Sequence, residues 1–228
     1  MKNKVKEYLG SGTRLTSGMT CFEEGYPMWY MRGYKFVGVD SSTGESIFAD
    51  TDGDGEVTDD DRCQLGKAIP DFTYGLTLSA SWKGFDLNIY GAGAGGNELV
   101  FSMVSTSADS FLNRPSFLYG DRWTETNTDA SLPSATNMIY DEWLYSSNLI
   151  VKSGAFFKIK QIQLGYTLPK SVLNALTMTQ ARVFVSLDNF FTFTSYPGSD
   201  PEVYSYLGVD SGVYPNSKSV MFGFNVAF

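Results

Sequence analysis

The fold is decided by the stretch Ser217-Lys-Ser-Val-Met-Phe-Gly-Phe-Asn-Val-Ala-Phe228. Its large apolar side chains occupy every second position, and these are Val220, Phe222, Phe224, Val226 and Phe228. Successive side chains of a strand point to opposite faces, so the stretch predicts a strand with one wholly apolar face. Its length suits a strand that crosses a bilayer at a tilt, which needs about 9–11 residues. A final aromatic residue is typical of the membrane–water interface, which indicates the closing strand of an outer-membrane barrel.

Further segments upstream repeat the same alternation of apolar with small or polar residues. They predict long strands at about 72–82, 85–95, 155–168 and 180–194, with the last stretch, 217–228, as a fifth. The short connection Lys83-Gly84 makes a hairpin of the first two. In the segment 155–168 the apolar parity changes from odd to even positions, so we expect a bulge near Lys160 or Gln161.

Composition narrows the function classes. The 228 residues contain no histidine, which is the commonest general base and metal ligand, and this argues against hydrolases and zinc enzymes. The net charge is -8, and no basic cluster is available to neutralise phosphates, so nucleic-acid binding is not expected. No run of 18 or more apolar residues is present, so a membrane-spanning helix is excluded.

The connections between the predicted strands alternate between short and long. The segments 97–154 and 195–216 are long and polar, whereas Lys83-Gly84 and 169–179 are compact. Outer-membrane barrels have short periplasmic turns and long extracellular loops, so both long segments and the region 1–71 are expected outside the cell. We expect residues 1–6 to be the end of a truncated strand. The predicted strands are too few to close a barrel. We therefore predict that residues 72–228 are the C-terminal part of a larger barrel.

An acidic loop at 50–61 is the one segment with a metal-binding pattern. An EF-hand loop supplies oxygen ligands from positions 1, 3, 5, 7, 9 and 12 and needs glycine at position 6. Here Gly55 stands at position 6, and the backbone carbonyl of Glu56 is offered at position 7. Carboxylates fill positions 1, 3, 5 and 12, and these are Asp50, Asp52, Asp54 and Asp61. We therefore predict a structural Ca²⁺ site.

Two departures from the EF-hand pattern affect this prediction. Asp61 is shorter than the glutamate usual at position 12, which weakens Ca²⁺ binding or its preference over Mg²⁺, so Mg²⁺ is the alternative ion. The residues before Asp50 do not resemble an entering helix, so a paired, switching sensor is not expected. A solvated acidic loop without an ion is the other interpretation. Thr58, followed by Asp61 three residues later, indicates a capped helical turn after the loop.

Other residue pairs are compatible with different chemistry. Asp141 with Glu142 and Asp200 with Glu202 resemble the carboxylate pairs of glycoside hydrolases, but solvated loop charges are the favoured interpretation of both pairs. No enzymatic activity is therefore predicted. Cys21 and Cys63 could form one disulfide in an oxidising compartment, and two separate thiols are the alternative.

The segments assembled here resemble the C-terminal part of the SusC-like (SusC/RagA) branch of TonB-dependent outer-membrane transporters of Bacteroidetes. The resemblance covers nearly the whole chain in family order. It lies in Gly33-Tyr-Lys-Phe-Val-Gly-Val-Asp40, the loop Asp50 to Arg62 with Leu65-Gly66, Pro70-Asp-Phe-Thr-Tyr-Gly75, Trp82-Lys-Gly-Phe-Asp-Leu87, Arg122-Trp-Thr124, Phe157-Lys-Ile-Lys-Gln-Ile-Gln-Leu-Gly-Tyr-Thr-Leu-Pro169, Asp188-Asn-Phe-Phe-Thr-Phe-Thr194, Asp200-Pro-Glu202 and the terminal strand.

The resemblance implies a nutrient importer in the outer membrane. Such proteins have an N-terminal plug inside a 22-stranded barrel, a TonB system that supplies energy through the N-terminal part, and a SusD-like surface lipoprotein that closes over the mouth to capture glycans or peptides. This chain would supply barrel wall in contact with outer-membrane lipid, together with extracellular loops and the cation site. The plug and the remaining strands would belong to the N-terminal part of the same barrel.

Aromatic residues of the predicted loops are the candidates for substrate or lid contacts. They are Trp123, Trp143, Tyr145, Tyr196, Tyr204, Tyr206 and Tyr214, and packing within the loops is the alternative for each. A soluble calcium-binding carbohydrate-binding or adhesion module is the alternative for the whole chain, because it would also combine β alternation, loop aromatics and an acidic loop. Detergent dependence separates the two, since a soluble module stays monodisperse without it.

Overall fold

The computed structural model describes residues 3–8, 12–104, 115–118, 120–203 and 205–228. Strands dominate the described chain. Numbered along the chain, they are β1 (Arg14–Ser17), β2 (Thr20–Glu23), β3 (Tyr30–Gly33), β4 (Phe36–Val39), β5 (Ser46–Phe48), β6 (Cys63–Lys67), β7 (Phe72–Trp82), β8 (Phe85–Gly95), β9 (Glu98–Phe101), β10 (Val151–Ser153), β11 (Phe156–Thr167), β12 (Gln180–Thr194), β13 (Val209–Asp210) and β14 (Ser219–Ala227).

Helical structure is confined to short turns. The α-helices are α1 (Asn137–Tyr140) and α2 (Lys170–Ala175), and 3-10 turns cover Asp59–Asp61, Ser116–Leu118 and Leu144–Ser146. None of the helices in the described part of the chain has the length and apolarity that a membrane crossing needs.

The chain divides into two compact units. The first comprises Met1–Asp71, Gly96–Gly154 and Tyr196–Val213, and the second comprises Phe72–Gly95, Ala155–Ser195 and Tyr214–Phe228. In the first unit, short strands form a four-stranded sheet in the order β1-β2-β3-β6, a three-stranded sheet in the order β10-β9-β13, and the pair β4-β5. The regions predicted as loops therefore contain folded secondary structure.

Three apolar clusters form the core of the first unit. Leu118 and Leu144 belong to one cluster and are almost completely buried. Met31 is the centre of a second cluster, with Val100 and Ile150. The third consists of Leu99, Phe101 and Tyr196. The clusters draw on segments far apart in the sequence, so the first unit depends on long-range contacts.

The start of the chain contacts a later segment. Residues 3–8 form no strand. Val5 is instead buried, and its N–H donates to the carbonyl of Tyr26 at 2.9 Å while its own carbonyl accepts from Gly25 N at 3.0 Å. The described residues of the expected strand end, 3–6, thus lie against the segment at Gly25 and Tyr26 through the backbone of Val5.

The second unit is one antiparallel sheet in the order β14-β12-β11-β8-β7. Its strands are 9 to 15 residues long, compared with about 5–6 in most soluble sheets. The terminal strand residues Phe72, Gly95, Phe156 and Thr194 are paired along the same end of the sheet. The long connections that follow β8 and β12 leave the sheet at this end. The short connections lie at the other end, so this sheet has the alternation that the sequence predicts.

The expected bulge is present in β11. Its register against both β8 and β12 shifts between Ile159 and Gln161, and relative to β8, where Gly91 and Tyr90 are consecutive partners, Lys160 is the extra residue. The bulge returns the later apolar residues of β11 to the face that Ile159 occupies. The change of parity in the sequence thus leaves the apolar face continuous.

Candidate functional site

The acidic loop connects β5 with β6. Asp50, Asp52 and Asp54 each place a carboxylate oxygen within 4.8 Å of the other two, and all three side chains are exposed. Three carboxylates at this separation repel one another unless a cation neutralises them. The structure therefore brings together three of the four predicted carboxylate ligands.

Backbone N–H groups hold these carboxylates in position. Asp50 accepts from Gly53 N at 2.6 Å and from Gly55 N at 2.9 Å through its two oxygens. Asp54 accepts from Glu56 N at 2.9 Å. Gly53 and Gly55 have φ angles of 82° and 94°, a left-handed conformation that glycine adopts at little cost. The two glycines allow the chain to wind tightly around the acidic side chains.

Asp61 has a different role from the three exposed carboxylates. It is completely buried, and one oxygen accepts from Thr58 N at 2.7 Å while the other accepts from the N–H groups of Thr51 and Asp52. Thr58 and Asp61 form the predicted capping box around the 3-10 turn. The hydrogen bond from Thr58 N, followed by that from Thr51 N, lowers the pKa of Asp61. Asp61 therefore closes the loop.

The electrostatics of the loop favour a bound cation. The pKa of Asp52 is raised: the hydrogen bond from Asp54 N lowers it, but partial desolvation and the neighbouring charges of Asp54, Asp61 and Asp50 together outweigh that bond. A hard cation such as Ca²⁺ or Mg²⁺ would relieve this repulsion and prefers oxygen ligands. The donor set present in the loop fits such an ion.

Three of the predicted contact aromatics pack inside the first unit. Tyr196 is 5% exposed, and its hydroxyl donates to Asp210 Oδ2 at 2.6 Å. Burial, followed by this hydrogen bond, raises the pKa of Tyr196. Tyr145 donates to the carbonyl of Met138, and Trp123 Nε1 donates to the carbonyl of Ser41 at 3.0 Å. These contacts favour the packing interpretation for all three residues.

Three other members of this set are accessible. Trp143 is 39% exposed, Tyr206 is 73% exposed and Tyr214 is 88% exposed. Tyr206 meets the edge of Trp29 at a centroid distance of 5.6 Å. Tyr204 lies outside the described residues. Trp143, Tyr206 and Tyr214 are the described members of the set with free surface for a ligand.

One face of the five-stranded sheet carries a continuous row of large apolar side chains. Directly paired residues share a face, and the pairing runs from Phe222 through Val185, Leu164 and Leu87 to Ala80. The face is exposed, with Phe222 at 83%. An exposed apolar face of this extent marks a surface that meets lipid or another protein.

Aromatic rings border this face where the long connections leave. Neighbouring rings of Phe72, Tyr74, Phe157 and Phe193 lie 5.8 to 6.3 Å apart between centroids. The Tyr74 hydroxyl donates to the carbonyl of Phe156 at 3.1 Å. An aromatic row of this kind is typical of a membrane–water boundary.

A second aromatic group borders the opposite end. The rings of Phe85 and Tyr166 are 4.6 Å apart. Lys83 Nζ lies 4.6 Å from the ring of Trp82. Strands of about 11 residues span roughly 35 Å between the two groups, and a tilt reduces this to the thickness of a bilayer core.

The opposite face of the sheet is polar and contains a pair that the sequence analysis missed. Arg182 Nε donates to Asp86 Oδ1 at 2.9 Å, although β12 and β8 are separated by β11. Gly165 of β11 lies between them, and a Cβ there would be 2.3 Å from an Arg182 nitrogen. The two charges are 96 residues apart, so no local pattern in the sequence signals their contact.

Comparisons with known proteins connect these features to a family. No protein-family model matches the chain. TonB-dependent receptor P3 of Formosa agariphila is 30% identical over 90% of this chain and 22% of that protein. TonB-dependent receptor SusC of Bacteroides thetaiotaomicron is 23% identical over 97% of this chain and 22% of that protein. The homologues of this chain are TonB-dependent receptors, SusC among them.

The fold of this chain also matches solved structures. The RagAB peptide transporter matches 98% of the chain with a TM-score of 0.80 and 26% identity, over 26% of that chain. The closed-closed state of the RagAB peptide importer matches 99% of it with a TM-score of 0.81 and 24% identity. The prediction of an all-β fold from the C-terminal part of a large antiparallel barrel is confirmed. The chain spans about a quarter of the length of the relatives it matches.

Proposed function

We propose that the chain forms part of the wall of an outer-membrane, TonB-dependent nutrient importer of the SusC type. The observation that carries this proposal is the exposed apolar face of the five-stranded sheet, bordered at both ends by aromatic rings. Lipid is the natural environment of such a face. The likeness to TonB-dependent receptors supports the same assignment.

The rest of the importer would come from other segments and partners. Further strands would pair with the two edges of the sheet, and a plug with access to TonB would complete the pore. A SusD-like lipoprotein would cover the extracellular side, where Trp143, Tyr206 and Tyr214 offer accessible rings to the lid or to a substrate. The substrate would be a glycan or a peptide. The structural likeness to RagAB, a peptide importer, supports a peptide substrate.

Charge substitutions on the two faces of β7 test the wall assignment. Leu76 is 52% exposed on the apolar face, and Thr77 lies on the polar face at nearly the same depth. An arginine facing mid-bilayer lipid costs about 2–4 kcal/mol, so Leu76→Arg should impair membrane assembly strongly and Thr77→Arg much less. The measurement is the amount of heat-modifiable, folded receptor in outer-membrane fractions.

The opposite outcome would restore the alternative function. Equal assembly of both variants would remove the basis for a lipid-facing wall. If the receptor segment then remained folded and monodisperse without detergent, a soluble calcium-binding carbohydrate-binding or adhesion module would become the better assignment.

We further propose that the acidic loop holds one structural Ca²⁺ ion, with Mg²⁺ as the alternative. Asp50, Asp52 and Asp54 would bind it directly, and the Glu56 carbonyl would be a fourth ligand. Asp61 would support the site by fixing the loop around it, with ligation through one oxygen or water as a further contribution. The ion would neutralise the carboxylates and rigidify the loop.

Calcium titration of the purified receptor tests this proposal. Asp52→Asn should weaken Ca²⁺ binding by about tenfold or more, because it removes one charged ligand. Asp60→Asn is the matched control, since Asp60 is an exposed acidic residue outside the three-carboxylate group. Calorimetry gives both affinities. Absence of a calcium signal in the unsubstituted receptor at millimolar Ca²⁺ would refute the site.

A further inference from the structure

A cavity of about 630 Å³ in the first unit combines apolar walls with a concentration of positive charge. Arg32 and Arg62 line it, together with serines such as Ser17 and Ser205 and apolar residues such as Val100 and Ile150. No acidic residue is among the described residues that line it. This local excess of positive charge contrasts with the net charge of -8 of the whole chain. The cavity is therefore suited to an anionic group.

Asp59 anchors both arginines. Arg32 Nη2 donates to the Asp59 carbonyl at 3.0 Å, and Arg62 Nε lies 3.0 Å from Asp59 Oδ1. Asp59 begins the 3-10 turn that follows the acidic loop, and the capping box of Thr58 and Asp61 fixes that turn. The two guanidinium groups are therefore held beside the same residue by a well-defined turn.

Aromatic stacking fixes Arg62 further. Its guanidinium carbon lies 4.8 Å from the centre of the Tyr34 ring, which stacks on Trp143 at 4.8 Å and 20°. The Tyr34 hydroxyl also donates to Asp59 Oδ1 at 3.3 Å. An arginine held over an aromatic face loses little conformational entropy when it binds an anion.

Unused donors remain on both arginines. A guanidinium group has five N–H donors. Within the described part of the chain, Asp59 accepts from Arg32 only through Nη2 and pairs with Arg62 only through Nε. The two arginines and the one aspartate leave a net local charge of about +1, which matches a carboxylate better than a doubly charged phosphate.

We infer that this cavity binds the carboxylate group of a small ligand through Arg32 and Arg62. The inference rests on the proposed importer function, in which the cavity would be a substrate subsite. The C-terminal carboxylate of a peptide and the carboxylate of an acidic sugar are the two sources of this chemistry. The apolar walls accept the uncharged body of either ligand.

Binding to the detergent-purified receptor tests the inference with paired probes. The first pair is acetyl-Ala-Val-Leu with a free C-terminus and its amide, and the second is a galacturonate trisaccharide and a neutral galactose trisaccharide. At least one acidic probe should bind more tightly than its neutral partner by about tenfold or more. The pair that shows this difference identifies the source of the carboxylate.

Substitutions locate the binding to the cavity. Arg32→Gln and Arg62→Gln should each lower the affinity for the acidic probe by about tenfold or more, because each removes a charged guanidinium group that can bind a carboxylate through two hydrogen bonds. Arg14→Gln is the matched control, since Arg14 pairs with Glu23 at 3.3 Å in the same unit and does not line the cavity. Where a glutamine variant fails to assemble, Arg32→Lys or Arg62→Lys is used instead. Lysine keeps the positive charge but cannot form the paired hydrogen bonds of a guanidinium group, so the affinity for the acidic probe should still fall.

Several results would overturn the inference. They are equal binding of acidic and neutral probes, absence of binding by both acidic probes, and arginine variants that bind as the unsubstituted receptor does. Such results with normal membrane assembly, and with the expected difference between Leu76→Arg and Thr77→Arg, would reject the carboxylate subsite and leave the importer assignment intact.

Discussion

The buried carboxylate of Asp61 holds the acidic loop closed through hydrogen bonds from three backbone N–H groups. Its pKa is lowered from 3.8 in the folded chain, first by the bond from Thr58 N. The unfolded chain therefore takes up the proton more readily. The stability from this group is complete above about pH 4 and is lost as the pH falls through the lowered pKa.

We predict that Asp61→Asn opens the loop at neutral pH. Asparagine keeps one acceptor oxygen and loses the charge, so amide protection of Thr51, Asp52 and Thr58 should fall by about tenfold or more. Asp60→Asn should leave it unchanged. Hydrogen exchange measured between pH 7 and pH 3 should also show that the unsubstituted protein loses this protection only in acid. Protection that is equal in all three proteins would contradict the role given to Asp61.

At the residue scale, the sequence predicts which side chains form the acidic group better than it predicts the contacts that each of them makes. The spacing of Asp50, Asp52 and Asp54 around Gly55 was enough to predict that their carboxylates come together. It assigned Asp61 to the ion as well, whereas the structure gives that carboxylate to backbone donors. Arg32 and Arg62 carry no local pattern, because their meeting at Asp59 depends on the pairing of β3 with β6.

Strand β8 depends on close approach of its neighbours at Gly93. A Cβ at Gly93 would lie 2.3 Å from the carbonyl oxygen of Phe156 and 2.6 Å from the ring of Tyr74. Tyr74 and Phe157 stack at an interplanar angle of 9° over this part of the strand. The glycine therefore lets the aromatic row lie flat against the sheet.

We predict that Gly93→Ala destabilises the sheet by about 1–3 kcal/mol, because a backbone atom must move to accommodate the methyl group. Gly75→Ala in β7 is the control, since its Cβ would meet only ordinary contacts of 3.7 Å or more. Urea titration of the heat-modifiable form gives both stabilities. Equal loss, or no loss, in the two variants would show that the approach at Gly93 is not tight.

At the element scale, the long strands were predictable because their signal is local. Alternation located β7 and β8 within the residues where they are found, and the parity change located the bulge in β11. The short strands of the first unit were not predicted. Val100, for example, pairs with Val209 in a parallel contact that only the folded chain creates.

At the scale of the whole molecule, the two edge strands of the five-stranded sheet determine what else a membrane protein would need. β7 and β14 each have one neighbour in the described sheet. Unpaired backbone groups in hydrocarbon cost several kcal/mol each, so both edges need further strands in a membrane. The proposed importer supplies them, and a soluble module would instead leave the edges in water.

The most direct test of the barrel-wall assignment is a nitroxide scan of β14 in the protein reconstituted into lipid bilayers. Cys21 and Cys63, both free thiols, are first changed to serine, and single cysteines are placed at residues 220 to 226. Accessibility to oxygen, which dissolves in lipid, is compared with accessibility to a water-soluble nickel complex. We predict a period of two, with oxygen favoured at Val220, Phe222, Phe224 and Val226. Uniform exposure to the nickel complex, or oxygen favoured at the intervening residues, would contradict a lipid-facing wall.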